Sequence, residues 1–163
     1  MSEVRLELEL DAPVEGVFEA MADHARYDRF RPIGSSELLK EGATDRNGVG
    51  AVRRLKAWPL RFDEEITAYE WPSRLDYLII DVNGPVEHDG GSIRFEPTAA
   101  GTHVLWTSTF RITTPLVGGL LGAAFGFGLK RSFTKMLEDA ARLASAPKPS
   151  EAGTLSSAAT ERP

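Results

Sequence analysis

Residues 49–112 divide into five extended runs separated only by short turns, with no helical periodicity among them. The runs are 49–57, 60–68, 74–82, 86–97 and 102–112, and the breaks are Trp58-Pro59, a stretch around Pro72, Asn83-Gly84-Pro85 and Thr98-Ala99-Ala100-Gly101. Turns this short join antiparallel neighbours, because a parallel connection needs a dozen or more residues. The chain is therefore committed to an antiparallel sheet. The segments before and after it must supply whatever covers its apolar face.

Before the sheet, Val4, Leu6, Leu8 and Leu10 alternate with Arg5, Glu7, Glu9 and Asp11, a strand with one wet face. Asp11 is placed to cap a short helix with Pro13 in its first turn, and Val14, Val17, Phe18 and Met21 follow at helical spacing. A second short helix covers 23–30, ended by Pro32, and a strand around 37–40 leads to the polar turn Asp45-Arg46-Asn47-Gly48. After the sheet comes one long helix, 115–144. In its second half Leu129, Phe133, Met136, Leu137 and Ala140 oppose Arg131, Lys135, Glu138 and Arg142. Residues 146–163, rich in Pro, Ser, Ala and Thr, read as a disordered tail. The order of strand, two short helices, six strands and one long helix is α+β. A twisted sheet of that size curls, and the helix lies in its hollow.

Charge and composition narrow the partners. A net charge of -5 with no basic cluster argues against nucleic acid, and the absence of cysteine excludes disulfides and thiolate metal sites. The N-terminus lacks the apolar core of a signal peptide, which fits a cytoplasmic protein. No metal or cofactor is expected: His24, His88 and His103 stand on separate elements, and there is no phosphate loop or dinucleotide fingerprint. On paired strands Arg53 and Arg54 face Glu64 and Asp63. That favours cross-strand ion pairs over an arginine clamp for a ligand, and one arginine of the two must face outward.

Between Arg111 and Lys130 there is no charge. The helical part of that run, 116–129, is too short for a hydrocarbon core of ~30 Å at 1.5 Å per residue, so no integral membrane segment is expected and the run reads as a buried half-helix. Gly118, Gly122 and Gly126 share one helical stripe at about 1 kcal/mol each. Three readings follow: room at a pocket mouth with Phe125 and Phe127 as a gate, then tight packing on the sheet, then close approach of two subunits. The first is preferred, and the chain is a monomer or a homodimer.

The stretches Asp11-Ala12-Pro13, Val17-Phe18, Asp23 with Tyr27 and Phe30, Gly48-Val49-Gly50-Ala51-Val52-Arg53-Arg54, Glu64-Glu65-Ile66-Thr67-Ala68-Tyr69-Glu70, Arg74-Leu75 with Tyr77, and Gly101-Thr102 with Val104 and Trp106 resemble the START-like, or SRPBCC, superfamily in its polyketide cyclase/dehydrase-like branch. The resemblance implies a helix-grip fold over residues 1–145, a seven-stranded antiparallel sheet wrapped around the C-terminal helix and enclosing a hydrophobic pocket. It also implies a small hydrophobic or aromatic, lipid- or polyketide-like ligand.

Candidate lining residues are Phe30, Tyr77, His88, Trp106, Phe110, Gly122 and Phe125. Trp106 and Phe110 share the inward parity of their strand with Ser108, and Phe30 ends the short helix near the pocket mouth in the family. His88 and Tyr77 are the candidates for proton transfer. The Asp89-Gly90-Gly91 break, a bulge or a tight turn, leaves the parity of His88 unresolved and favours a surface histidine over a cavity base. His103 takes the outer face, and His24 an exposed helix. Three functions follow: a binder of a hydrophobic molecule, a cyclase or dehydratase using His88 or Tyr77, and a protein- or membrane-interaction module working through the glycine-rich helix half.

Overall fold

The alternation resolves into one sheet whose first strand is displaced from sequence order. The computed structural model describes residues 1–114 and 118–146, and of residues 118–121 only the backbone. Among the described residues the strands are β1 Ser2–Leu10, β2 Ser35–Lys40, β3 Val52–Ala57, β4 Leu60–Glu70, β5 Arg74–Val82, β6 Val86–Thr98 and β7 Gly101–Ile112. Helix α1 (Val14–Ala22) and a 3-10 turn (His24–Arg29) stand between β1 and β2, and helix α2 (Gly118–Ser145) follows β7. The expected helix start at 115–117 and all but the first residue of the expected tail lie outside the described residues.

The seven strands are antiparallel in the order β1-β7-β6-β5-β4-β3-β2. Strands β2 to β7 form a meander, while β1 pairs with β7 from Ser2 opposite Phe110 to Leu10 opposite Thr102. The chain leaves β1 at one edge and must re-enter at the other. Segment α1 and the 3-10 turn make that crossing, and α2 packs along β1, β7 and α1. This is the helix grip: an antiparallel sheet curled around its terminal helix.

Helix α1 buries Val14, Val17, Phe18 and Met21, the stripe its spacing prescribes. Asp11 does not cap it. Pro13 holds the cap position in extended geometry with no side-chain bond, and the Ala12 N–H turns back to Leu10 O at 2.9 Å, which leaves Asp11 outside the first turn. Where α1 crosses α2, Gly16 faces Ala144 so closely that an added Cβ would sit 2.8 Å from its methyl. The C-terminal half of α2 buries Leu137 and Ala140 completely. Asp139, almost fully buried, anchors that half by accepting the Arg31 backbone N–H at 2.8 Å and its Nε at 3.0 Å.

The uncharged half of α2 is not buried throughout. Gly122 is covered, but Ala123, Ala124 and Gly128 are exposed and Phe127 is 74% exposed. The helix lies on the sheet by one side only, and its outer side carries the small residues Ala123, Ala124 and Gly128 and the ring of Phe127. Two glycines of the stripe rest on β1 and β7, Gly118 lying outside the residues described beyond their backbone: a Cβ at Gly122 would meet Ser2 Oγ at 3.2 Å, and one at Gly126 would meet Val4 and Phe110 at 3.5 and 3.6 Å. Close seating of the helix accounts for Gly122 and Gly126.

His24 corrects another expectation, because it is fully buried and neither ring nitrogen has a partner. It lies edge-on to Tyr27 at 6.1 Å, and the Arg53 guanidinium stacks over the same tyrosine at 4.0 Å. Burial, with the Arg53 charge, pushes the imidazole down to about 2 from its ordinary 6.5. Below the ordinary value the unfolded chain takes up a proton that the fold refuses. Stability is therefore full near neutrality and falls as pH drops from 6.5 toward about 2. The loss approaches about 1.4 kcal/mol per pH unit. His24→Leu removes this uptake, and urea unfolding at pH 7 and pH 4 will show a smaller gap in stability than in the wild type.

Candidate functional site

The inward positions of β4 are Leu60, Phe62, Glu64 and Ile66, an apolar series broken by one carboxylate. Leu60, Phe62 and Glu64 of that series, with Tyr77 and Ile79 of β5, His88 of β6, Ser108 and Phe110 of β7, and Phe125, Leu129 and Phe133 of α2, bound a cavity of about 80 Å³. Leu60, Val82 and Val86 rim it where the β3–β4 and β5–β6 turns end. The cavity lies beneath the first half of α2, away from the end that α1 fills.

The rings of Tyr77 and His88 stack with centroids 5.4 Å apart and planes at 13°. Tyr77 fits because its cross-strand partner is Gly91: a Cβ there would stand 2.2 Å from Tyr77 Cζ. His88 faces inward because of a bulge at Asp89, where the register slips between His88 opposite Phe110 and Gly90 opposite Thr109. Gly90 takes φ 133° at that slip. His88 is thus a half-buried cavity residue, not the surface histidine that the sequence favoured.

The polar atoms here are largely satisfied from within. The Ile79 N–H donates to His88 Nδ1 at 3.1 Å, so the ring proton is on Nε2, which stands 3.1 Å from Ser108 Oγ. Burial holds His88 below its ordinary pKa, and Glu64 and Asp89 oppose this only in part. Trp106 Nε1 donates to Tyr77 Oη at 3.0 Å. Burial, helped by the Glu64 charge, pushes the Tyr77 hydroxyl well above its usual range.

The two arginines of β3 divide as the sheet requires. Arg54 faces out and grips Asp63 with both prongs, at 2.8 Å each. Arg53 is buried against Glu64, its Nε donating to Oε2 at 2.6 Å and its Nη2 converging on the same oxygen. Burial works against the Arg53 charge, but Glu64 and Tyr27 together outweigh it and hold the guanidinium above its ordinary value.

Of the sequence candidates, the fold brings Tyr77, His88, Phe110 and Phe125 to one cavity wall. Trp106 stands one layer behind, stacked on Phe133 at 3.8 Å and 4°. Phe30 is fully buried in the core, edge-on to Tyr27 at 4.7 Å, and does not line the cavity, because the 3-10 turn tucks beneath β2 and β3. Gly122 borders a separate outer groove with Ser2 and Phe127. Sequence reasoning missed Glu64, Ile79, Ser108 and Leu129 as wall residues. Ser108 and Glu64 carried a signal, each being a polar residue in an apolar inward series.

The fold and cavity are those of a START-like, helix-grip protein. The family described as polyketide cyclase / dehydrase and lipid transport matches residues 1–145, and this chain belongs to it. Among solved structures, a protein of Thermus thermophilus is similar at 25% identity, with a TM-score of 0.71 over 89% of this chain and all of that one. A START superfamily protein from Mycobacterium smegmatis is similar at 15% identity, with a TM-score of 0.70 over 86% of this chain and 97% of that one. A protein of Mesorhizobium loti shares the fold at 17% identity, with a TM-score of 0.63 over 87% of this chain and 96% of that one. No curated protein matches the sequence. The family supports hydrophobic ligand binding in general. Among the described residues no helix is long and apolar enough to cross a membrane.

Two substitutions test this geometry. Gly91→Ala drives a methyl into the Tyr77 ring, and overpacking of this kind costs about 1–3 kcal/mol. In a Tyr77→Leu background the same change costs less, as a double-mutant cycle by urea denaturation will show. Arg53→Leu alone strands the Glu64 charge and destabilises by about 3–5 kcal/mol, whereas Arg53→Leu with Glu64→Leu recovers most of that loss.

Proposed function

We propose that the protein binds a small hydrophobic or aromatic molecule in the cavity between β4–β7 and the first half of α2. One observation carries this reading: the wall is mostly apolar, both nitrogens of its imidazole have internal partners and its phenol oxygen accepts from Trp106. The Nδ1 lone pair of His88 is occupied by the Ile79 N–H, so it is not free to abstract a proton. The Tyr77 hydroxyl is held neutral far above the working pH. A cyclase or dehydratase needs an acid or base free to exchange its proton, and these two residues favour holding a guest over turning it over.

The cavity sets the scale of the guest. At about 80 Å³ it has roughly half the ~150 Å³ of an engineered apolar cavity that accepts benzene. A single-ring guest therefore has to widen it. The wall that yields is α2, where Phe125 touches Phe110 edge-on at 5.1 Å and the helix has solvent behind it at Phe127.

Titration with toluene, followed by amide shifts in two-dimensional NMR, tests the reading. Saturable shifts are expected at Ile79, His88, Ser108 and Phe110. Leu129→Trp fills the cavity from the helix side and abolishes them. Absence of shifts in the wild type, or their persistence in the filled variant, would overturn the proposal.

A further inference from the structure

Two ion pairs sit side by side on β3 and β4, and they differ in one respect. Arg54 spends a prong on each oxygen of Asp63, so neither oxygen of that carboxylate is without a donor. Arg53 brings Nε and Nη2 to a single oxygen, Glu64 Oε2, and among the described residues no donor reaches Oε1. Asp63 faces outward. Glu64 lines the cavity and is the one carboxylate that does so among the described residues. The wall thus includes a carboxylate with one oxygen that has no donor among the described residues.

Resting on the cavity reading above, we infer that Glu64 Oε1 selects guests carrying a neutral hydrogen-bond donor, a hydroxyl or an N–H, on an apolar skeleton, and rejects carboxylates. The Arg53–Glu64 pair is neutral as a unit, so it does not call for a cation. It calls for a proton donor, because an acceptor left unpaired in a low-dielectric site is costly and a hydrogen bond to a charged acceptor is among the stronger ones. The neighbouring polar atoms do not compete for that donor: His88 is committed at both nitrogens and the Tyr77 oxygen already accepts from Trp106. A carboxylate guest would place a second anion against Oε1 with water excluded, where like charges repel strongly. Arg53 acts as a positioning residue, fixing which oxygen is turned to the cavity.

Phenol, toluene and benzoate share one ring and differ in the group presented. In NMR titrations of the full chain, phenol is expected to bind at least as tightly as toluene, with benzoate weakest. A purely apolar cavity prefers toluene, whose methyl sheds no hydration, so a toluene preference in the wild type would sink the inference while leaving the cavity reading standing. Failure of all three to bind overturns both. Arg53→Leu with Glu64→Leu removes the pair without stranding a charge. This variant is expected to lose about tenfold or more in the phenol-to-toluene ratio, whatever its absolute affinity for toluene. An unchanged ratio in the folded double variant refutes the role of Glu64, and if that variant does not fold, the wild-type order of the three compounds decides.

Discussion

The pairing of β1 with β7 is the contact on which the rest of the architecture depends. Without it the remaining six strands would be a simple meander, and nothing would oblige the chain to cross the sheet. With it, the first residues of the chain lie beside the last strand, and the chain must cross from one edge of the sheet to the other before β2 begins. That crossing is α1 and the 3-10 turn. It closes one end of the curl with Phe18, Met21, Tyr27 and Phe30. The same pairing builds the floor on which α2 rests, and Gly122 and Gly126 let the helix settle close to it. The end closed by α1 is filled, and the other end is roofed only by the first half of α2.

The void at that second end follows from how its large side chains lie. Tyr77 is laid along the sheet over Gly91, and His88 stacks against it with its plane only 13° from parallel. A ring flat against the strands leaves empty the space that an upright side chain would take. Both rings are held down by hydrogen bonds, from Trp106 to Tyr77, from Ile79 to His88 and from His88 to Ser108, so they do not swing up to fill the gap. Ser108, the smallest inward residue between Trp106 and Phe110, adds to the hollow. The cavity is thus a consequence of sheet-bound hydrogen bonding, with α2 as the wall least committed to its place.

Much of this is legible in the sequence, and what is not has physical causes. Strand alternation marks the strands and hairpins, and the charges at 53, 54, 63 and 64 set the register of β3 on β4, because a period of two leaves little freedom once one pair is matched. His88 defeats a sequence reading because a single extra residue at Asp89 reverses which face follows, and no local pattern reports the slip. His24 does so because its burial depends on β3 passing over the 3-10 turn, a contact between segments far apart in the chain. The glycine stripe is legible as a demand for space, but periodicity does not say whether a ligand or a strand occupies that space. For Phe30, position at the end of a helix tells of proximity to the sheet and not which side of its core the ring joins.

The Arg53–Glu64 pair bears on function because of what it contributes to stability. A buried ion pair is weak stabilisation: the desolvation of two charges absorbs most of their attraction, and apolar residues of similar size commonly do as well or better. Positions 53 and 64 are inward, surrounded by Tyr27, Leu55, Ile66 and Tyr77, where aliphatic side chains would complete an ordinary core. Stability alone therefore does not account for two opposite charges there. Their geometry differs from that of the neighbouring outward pair, which shares its contacts evenly between both carboxylate oxygens. Here one oxygen takes both guanidinium contacts and the other has no donor among the described residues, in a side chain that lines the cavity. An ion pair arranged in this way fixes a direction within an otherwise greasy hollow, and a hollow with a direction distinguishes one end of a guest from the other.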